Sequence, residues 1–273
     1  MSGQNVFLRD FLKRTIGMEM GPEKDYLIEG RLGPIALTEG IASVGELIEK
    51  LKREQDGELA KMVIDAMTTH ETLFFRDTEP FSFLRDVILP DLEKRRASER
   101  RIRIWSAACS TGQEAYSVLM TLGESPLRFF EKGWQVDLLA TDISDSAMEK
   151  AKRGLYSAFE TQRGLPVEMR TKYFEERNGN WKIKDELRNR VRFQVVNLIH
   201  PFTGVGPFDI VFCRNVLIYF SVETRKQILA QIAKVLAPDG YLYLGGAETV
   251  MGLSDQFSRF ENSKTSVYKR SKT

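Results

Sequence analysis

From residue 101 onward, short runs rich in β-branched and aromatic residues alternate with longer stretches of helical period. The runs "RIRIWSAA", "WQVDLLATDIS", "RVRFQVVNLI", "FDIVFCRN", "GYLYLGGAE" and "SVYKR" read as strands, and helical segments fall at about 113–123, 144–153 and 222–236. Strands joined through helices lie parallel, with right-handed crossovers. The alternation therefore predicts an α/β fold built on a doubly wound, Rossmann-like parallel sheet. Between about 155 and 190 it breaks. There "YSAFETQRGLPVEMRTKYF" and "ERNGNWKIKDEL" place a short helix and a hairpin turning at Asn178-Gly179, which predicts a small inserted β-subdomain.

Residues 1–75 carry helical patterns only, with Phe7, Leu8, Phe11 and Leu12 in one set and Tyr26, Leu27, Ile28 and Leu32 in another. Ser43 stands three residues before Glu46, a capping-box pattern. The expected organisation is a small all-helical domain at 1–75 and a larger domain at 76–273, joined by the crossing "THETLFFRDTEPF" and the helix "FSFLRDVILPDLEKRR". A chain of 273 residues with 42% apolar content can bury a sizeable core.

The net charge of +2 excludes binding of nucleic acid by bulk electrostatics. No stretch approaches the roughly 20 apolar residues of a membrane span, and the charged start "MSGQNVFLRDFLKRTIG" lacks a cleavage signature. The expected location is the cytoplasm, and the expected state a monomer. Two cysteines and two histidines, none in CxxC or HExxH spacing, support neither a disulfide framework nor a metal site. The densest basic run, "EKRRASERRIR" at 93–103, reads as the solvated end of a helix.

Ligands of open parallel sheets sit beyond the carboxyl ends of the strands. The first turn there, "AACSTG", has small residues that let backbone approach a ligand, with Gly112 where a side chain would obstruct. It lacks the GxGxxG that seats a pyrophosphate. Instead Glu114 opens the helix, and its carboxylate would repel phosphate and attract an ammonium or sulfonium. The second strand ends in Asp142, placed either to accept hydrogen bonds from a ribose diol or to cap the next helix. Later strands bring Asn197, Leu198, Arg214, Asn215 and Tyr219 to the same edge. Arg214 and Asn215 read as site residues, or as caps for the following helix.

Taken together, "TTHETLFFR", "IWSAACSTGQEAYS", "LLATDIS", "FQVVNL" and "FDIVFCRNVLIYF" resemble the chemotaxis receptor methyltransferases, the CheR family, from about residue 5 to 270. The resemblance implies transfer of a methyl group from S-adenosyl-L-methionine, leaving S-adenosyl-L-homocysteine, to glutamates on the cytoplasmic helices of chemoreceptors. It places His70, Thr72 and Arg76 beside the methionyl part of the cofactor, Glu114 at its ammonium end, Asp142 on the ribose, and Asn197 and Leu198 around the adenine. Arg214 and Asn215 then line the methionine and substrate side, and Arg76 and Tyr219 orient the target carboxylate.

Three features depart from the family pattern. His70 stands where Asn is common, and its cation would disfavour a neighbouring sulfonium, so cofactor affinity would fall in acid. His70 could equally just finish a helix. The stretch "EKDYLIEGRLGPIALTEG" lacks an arginine-rich receptor helix, Arg31 being the survivor with Lys24 nearby, and residues 1–75 hold nine basic against thirteen acidic side chains. The hairpin "FEERNGNWKIKDEL" lacks the glycine-rich loop of relatives that grip a receptor tail by strand addition, so no tail tether is expected. Competing classes are a sensor or adaptor that binds S-adenosylmethionine without chemistry, a nucleic-acid methyltransferase, and a nicotinamide oxidoreductase. Against the last, 30 residues separate Gly112 from Asp142, where a dinucleotide fingerprint has about 20.

Overall fold

The computed structural model describes residues 3–261 and 263–271. Apolar residues at helical spacing make α1 (Gly3–Ile16), α2 (Tyr26–Thr38), α3 (Val44–Arg53) and α4 (Glu58–Met67) amphipathic. Their inner faces close a core of their own around Leu8, Phe11, Leu32, Leu47 and Val63. Ser43 caps α3 by accepting the Glu46 amide at 3.2 Å, but no reciprocal bond from the Glu46 side chain accompanies it. The reciprocal capping box occurs instead between Ser157 and Glu160.

The helix expected after the crossing is divided. α5 (Glu79–Phe83) runs into a π-helical turn at Leu84–Ile88 before α6 (Leu89–Arg95). Pro90 accounts for the break, because it lacks an N–H and its ring crowds the carbonyl four residues back.

The main sheet has seven strands. β1 (Arg101–Ala107) leads through α7 (Gln113–Gly123) to β2 (Gln135–Asp142) and α8 (Asp145–Arg153). Next comes the insertion: β3 (Leu155–Ser157), α9 (Ala158–Gln162), α10 (Val167–Tyr173), β4 (Phe174–Arg177), β5 (Asn180–Ile183) and α11 (Asp185–Arg188). Its three strands form a separate antiparallel sheet in the order β3-β5-β4. The chain returns with β6 (Val191–Val195), β7 (Phe208–Cys213), α12 (Val222–Val235), β8 (Leu236–Leu244), β9 (Phe257–Arg259) and β10 (Val267–Arg270). The spatial order is β6-β2-β1-β7-β8-β10-β9, with the first five parallel and β10 antiparallel to both neighbours.

Alternate side chains of the parallel strands feed two cores. One face buries Ile102, Ile104 and Phe212 against α7, while the other buries Trp105, Val211 and Leu242 against α12. β3 and β9 were absent from the expected strands, since three residues are too few to show a period. Within the insertion, Asn178 (φ 52) and Gly179 (φ 76) take the left-handed conformations of the expected two-residue hairpin turn.

The basic run at 93–103 is not simply solvated. Arg95 pairs with Asp91 and Asp239, and Arg96 bonds Asp209 at 2.7 Å and Asp239 at 2.6 Å. Asp209 is 5% exposed and also accepts the Arg103 amide at 2.8 Å, so this ion pair ties α6 to the base of the sheet. Asp209→Asn should therefore cost about 3 kcal/mol of stability. A urea titration checks this, and a loss below about 1 kcal/mol would reduce the pair to surface decoration.

Candidate active site

Ten residues expected at the site, His70, Thr72, Arg76, Glu114, Asp142, Asn197, Leu198, Arg214, Asn215 and Tyr219, all line one cleft at the carboxyl ends of β1, β2, β6 and β7. The first turn folds back beneath Asp142. Its carboxylate is 7% exposed and accepts the Ser110 amide at 2.8 Å and the Ser144 amide at 3.1 Å. Burial pushes the Asp142 carboxyl above its ordinary value, although these amides favour the anion. The helix cap is Ser144, which accepts the Ala147 amide at 2.9 Å, so Asp142 keeps lone pairs facing the cleft.

Gly112 has a different reason from the expected one. Its φ is +94°, and an added Cβ would meet Ala151 at 2.9 Å and Tyr156 at 3.2 Å, both protein atoms. The glycine serves close packing of the turn on α8 and the insertion, not access for a ligand.

Arg214 is 5% exposed and joins three segments. It donates to Glu114 Oε2 at 3.0 Å, to Asp77 Oδ2 at 2.6 Å and to the Arg76 carbonyl at 3.1 Å. The other oxygen of Glu114 accepts the Ser106 hydroxyl at 2.7 Å. Two carboxylates thus face one guanidinium, leaving the group with a net charge of −1. The crossing is bent hard around this anchor, since Phe75 (φ 50), Asp77 (φ 69) and Thr78 (φ 45) are all left-handed. Backbone strain of this kind gathers where a neighbouring side chain must be aimed, and here it flanks Arg76.

Neither Arg214 nor Asn215 caps the next helix. The following short helix, Leu217–Tyr219, has Val216 at its N-cap, and Ser221 caps α12. Asn215 is left-handed (φ 58) because a carboxylate that the sequence reading missed gathers the backbone beside it. Glu248, 7% exposed, accepts the amides of Asn215 (2.8 Å), Val216 (2.9 Å), Leu217 (2.7 Å) and Gly245 (2.6 Å). Successive amides wrapped on an anion form a nest. Gly245 permits it, as a Cβ there would stand 2.7 Å from Glu248. The "GGAE" after β8 was the available signal: glycines beside an acid at a strand's carboxyl end.

The helical unit supplies a wall of the cleft through Ile16 and Met18. Asn197 donates to the Thr15 carbonyl at 2.8 Å, and the Glu19 amide to the Tyr219 carbonyl at 2.8 Å. Asp65, at the end of α4, bonds Ser144 and also Ser146 at 2.7 Å. Arg31 is turned inward: it bonds the carbonyls of Met67 at 2.6 Å and Thr68 at 3.2 Å and so caps α4. Those donors are therefore committed to the segment that leads into His70.

His70 folds back on the same helix end, with Nε2 3.0 Å from Thr68 Oγ1, 3.1 Å from the Asp65 carbonyl and 3.5 Å from Asp65 Oδ1. Burial opposes its cation, yet Asp65, with Asp142 beyond it, holds the pKa above the ordinary value. Burial also opposes the Asp65 carboxylate, but hydrogen bonds from His70, Ser144 and Ser146 prevail and lower it to about 2. Burial raises both thiols, Cys109 and Cys213, well above the usual range.

Residues 70–266 match the family model described as CheR methyltransferase, SAM binding domain, and residues 6–68 match CheR methyltransferase, all-alpha domain. The chain belongs to the CheR methyltransferase family. It is 43% identical to Chemotaxis protein methyltransferase 1 of Pseudomonas aeruginosa, over 98% of this chain and 99% of that one. It is 41% identical to Chemotaxis protein methyltransferase Cher2 of Pseudomonas putida, over 95% of each. A solved structure of TrmN from Thermus thermophilus shares 15% identity, with a TM-score of 0.40 over 70% of this chain and 52% of that one. The cofactor of this CheR methyltransferase is S-adenosylmethionine. Among the described residues no helix is long and apolar enough to cross a membrane.

Two expected outcomes follow from the cleft. Glu248→Gln puts an NH2 donor against two of the four amides, so methyl transfer should fall by up to about 100-fold as the Asn215–Tyr219 loop shifts. An unchanged rate in a folded variant would show that the loop does not depend on Glu248. The second concerns pH. Asp65 contributes stability above its unfolded value of 3.8, lost as pH falls toward 2, whereas His70 contributes fully below 6.5 and loses this as pH rises through its raised value. The pair is strongest between about pH 4 and 6.5. His70→Asn should lower the melting temperature most in that window, and an equal shift at about pH 9 would remove the ion pair from the account.

Proposed function

We propose that this chain forms methyl esters on glutamate side chains in the cytoplasmic helices of chemoreceptors, without a receptor-tail tether. The observation that carries the reading is Arg76. Of the cations lining the cleft, Arg214 is committed to two carboxylates and His70 faces Asp65. The Arg76 guanidinium has no carboxylate partner among the described residues, and its one hydrogen bond among them goes to the Glu71 carbonyl at 3.1 Å. A guanidinium left in this state can take a substrate carboxylate bidentately. The relatives named as chemotaxis protein methyltransferases support a chemoreceptor as the substrate. The two-residue turn of the β4–β5 hairpin, which offers no longer glycine-rich loop, supports the absence of a tether.

The donor set of the cleft suits S-adenosylmethionine. Asp142 retains acceptor capacity for a ribose diol, and the group formed by Glu114, Arg214 and Asp77 carries the net negative charge that an ammonium and a sulfonium prefer. In this reading Asn197 and Leu198 flank the adenine, while His70 and Thr72 lie by the methionyl part. Arg214 and Asn215 line the methionine and substrate side. When bound, the cofactor supplies an electrophilic methyl group on a sulfonium.

The rest of the task is positioning. A glutamate with a pKa near 4.3 is ionised at neutral pH, so the nucleophile exists without a base. Neither buried thiol offers a competing thiolate. Arg76 and Tyr219 orient the carboxylate, and alignment of this kind can contribute about 7–11 kcal/mol. Apolar walls from Ile16, Ile143 and Leu198 exclude water, which favours a step in which opposite charges cancel.

The test is transfer of labelled methyl from S-adenosylmethionine to a chemoreceptor cytoplasmic fragment. Label released as methanol by mild base, and absent when the receptor glutamates are changed to alanine, is the expected result. Arg76→Ala should lose turnover far more than cofactor affinity. Comparable losses in both would remove Arg76 from substrate orientation. Tight cofactor binding with no transfer to several receptors would replace the enzyme reading with that of a sensor.

A further inference from the structure

The opposite end of the sheet carries a second charged feature. The crossover from β6 to β7, residues 196–207, contains no helix. One face of β1, β2 and β6 is therefore covered only toward its carboxyl end, where Phe202 and Phe208 pack on Trp105. Nearer the amino ends the same face is open. Arg103 registers with Asp137, and Leu139 with Arg192, and parallel partners share a face. Arg101 extends the row into an open groove that Arg190 also lines and whose far wall is Gly204-Val205-Gly206.

The guanidinium groups on this face are those of Arg101, Arg103 and Arg192, set against the single carboxylate of Asp137, a net of +2. Arg101 is matched by Asp137 at 2.6 Å, and Arg190 lies over the Phe130 ring at 4.2 Å. The guanidinium groups of Arg103 and Arg192 have no hydrogen bond or ion pair among the described residues. Like charges gathered on one sheet face favour a partner of opposite sign. Of the basic run at 93–103, Arg95 and Arg96 are consumed by aspartates, while Arg103 is left for this surface.

We propose that the groove docks an acidic polypeptide segment of a partner protein. The two unmatched arginines stand two strands apart with a two-residue offset, so their Cα atoms are roughly 12 Å apart. Asp137, already paired with Arg101, lies between them and offers a compact anion placed there no donor. Carboxylates spaced along an extended segment can each meet one guanidinium in the bidentate geometry that arginine favours, leaving Asp137 opposite a gap.

The experiment is fluorescence anisotropy of the full chain with a labelled peptide of alternating glutamate and serine, with pyrophosphate as competitor. Arg103→Glu combined with Arg192→Glu should weaken binding by about tenfold or more. Asp137→Asn should tighten it, and added salt should weaken it. Both variants should keep the wild-type melting temperature and affinity for S-adenosylhomocysteine, because the cleft lies at the other end of the strands. Equal peptide affinity for the charge-reversed and wild-type chains overturns the proposal. So does displacement of the peptide by equimolar pyrophosphate, which would make the groove a compact-anion site.

Discussion

The buried Arg214 guanidinium is the interaction on which the cleft depends. It links the crossing at 76–77, the first residues of α7 and the end of β7, segments that are far apart in the chain. A charge taken out of water is tolerated only when paired, and removing one partner strands the other. The three segments are thereby held in one arrangement. The left-handed backbone at Phe75, Asp77 and Thr78 persists because that arrangement over-determines it, and Arg76 gains a fixed position without an ion pair of its own.

Two further carboxylates extend the same logic in different ways. Glu248 gathers backbone amides and so shapes the loop from Asn215 to Tyr219 with partial charges alone. Asp65 bonds the cap of α8 and faces His70, and so locks the helical unit to the sheet edge. With Ile16 and Met18 lining the cleft, the helical unit forms part of the site. Such a site can exclude water from the transferring methyl group.

Much of this was legible in the residues. The alternation from 101 onward foretold the parallel strands because their periods differ from those of the helices. The residues expected at the sheet edge, with those of the crossing, line one cleft because strand ends in a parallel sheet share an edge. Gly112 was read as leaving room for a ligand, yet it is pressed against Ala151, and Arg31, the survivor of the family's arginine-rich helix, caps α4. A glycine or an arginine in a sequence does not say which neighbour it will meet.

The sequence by itself determined the longer strands and most of the helices, where the chain departs for its small insertion, and which chemical groups reach the sheet edge. Local periodicity and strand polarity suffice for those properties. Only the tertiary structure decided which charges are already matched. Arg95, Arg96 and Arg214 meet aspartates or glutamates from distant parts of the chain, while Arg76, Arg103 and Arg192 do not. Ion pairing acts through a few ångströms of space, and sequence separation carries no information about such distances.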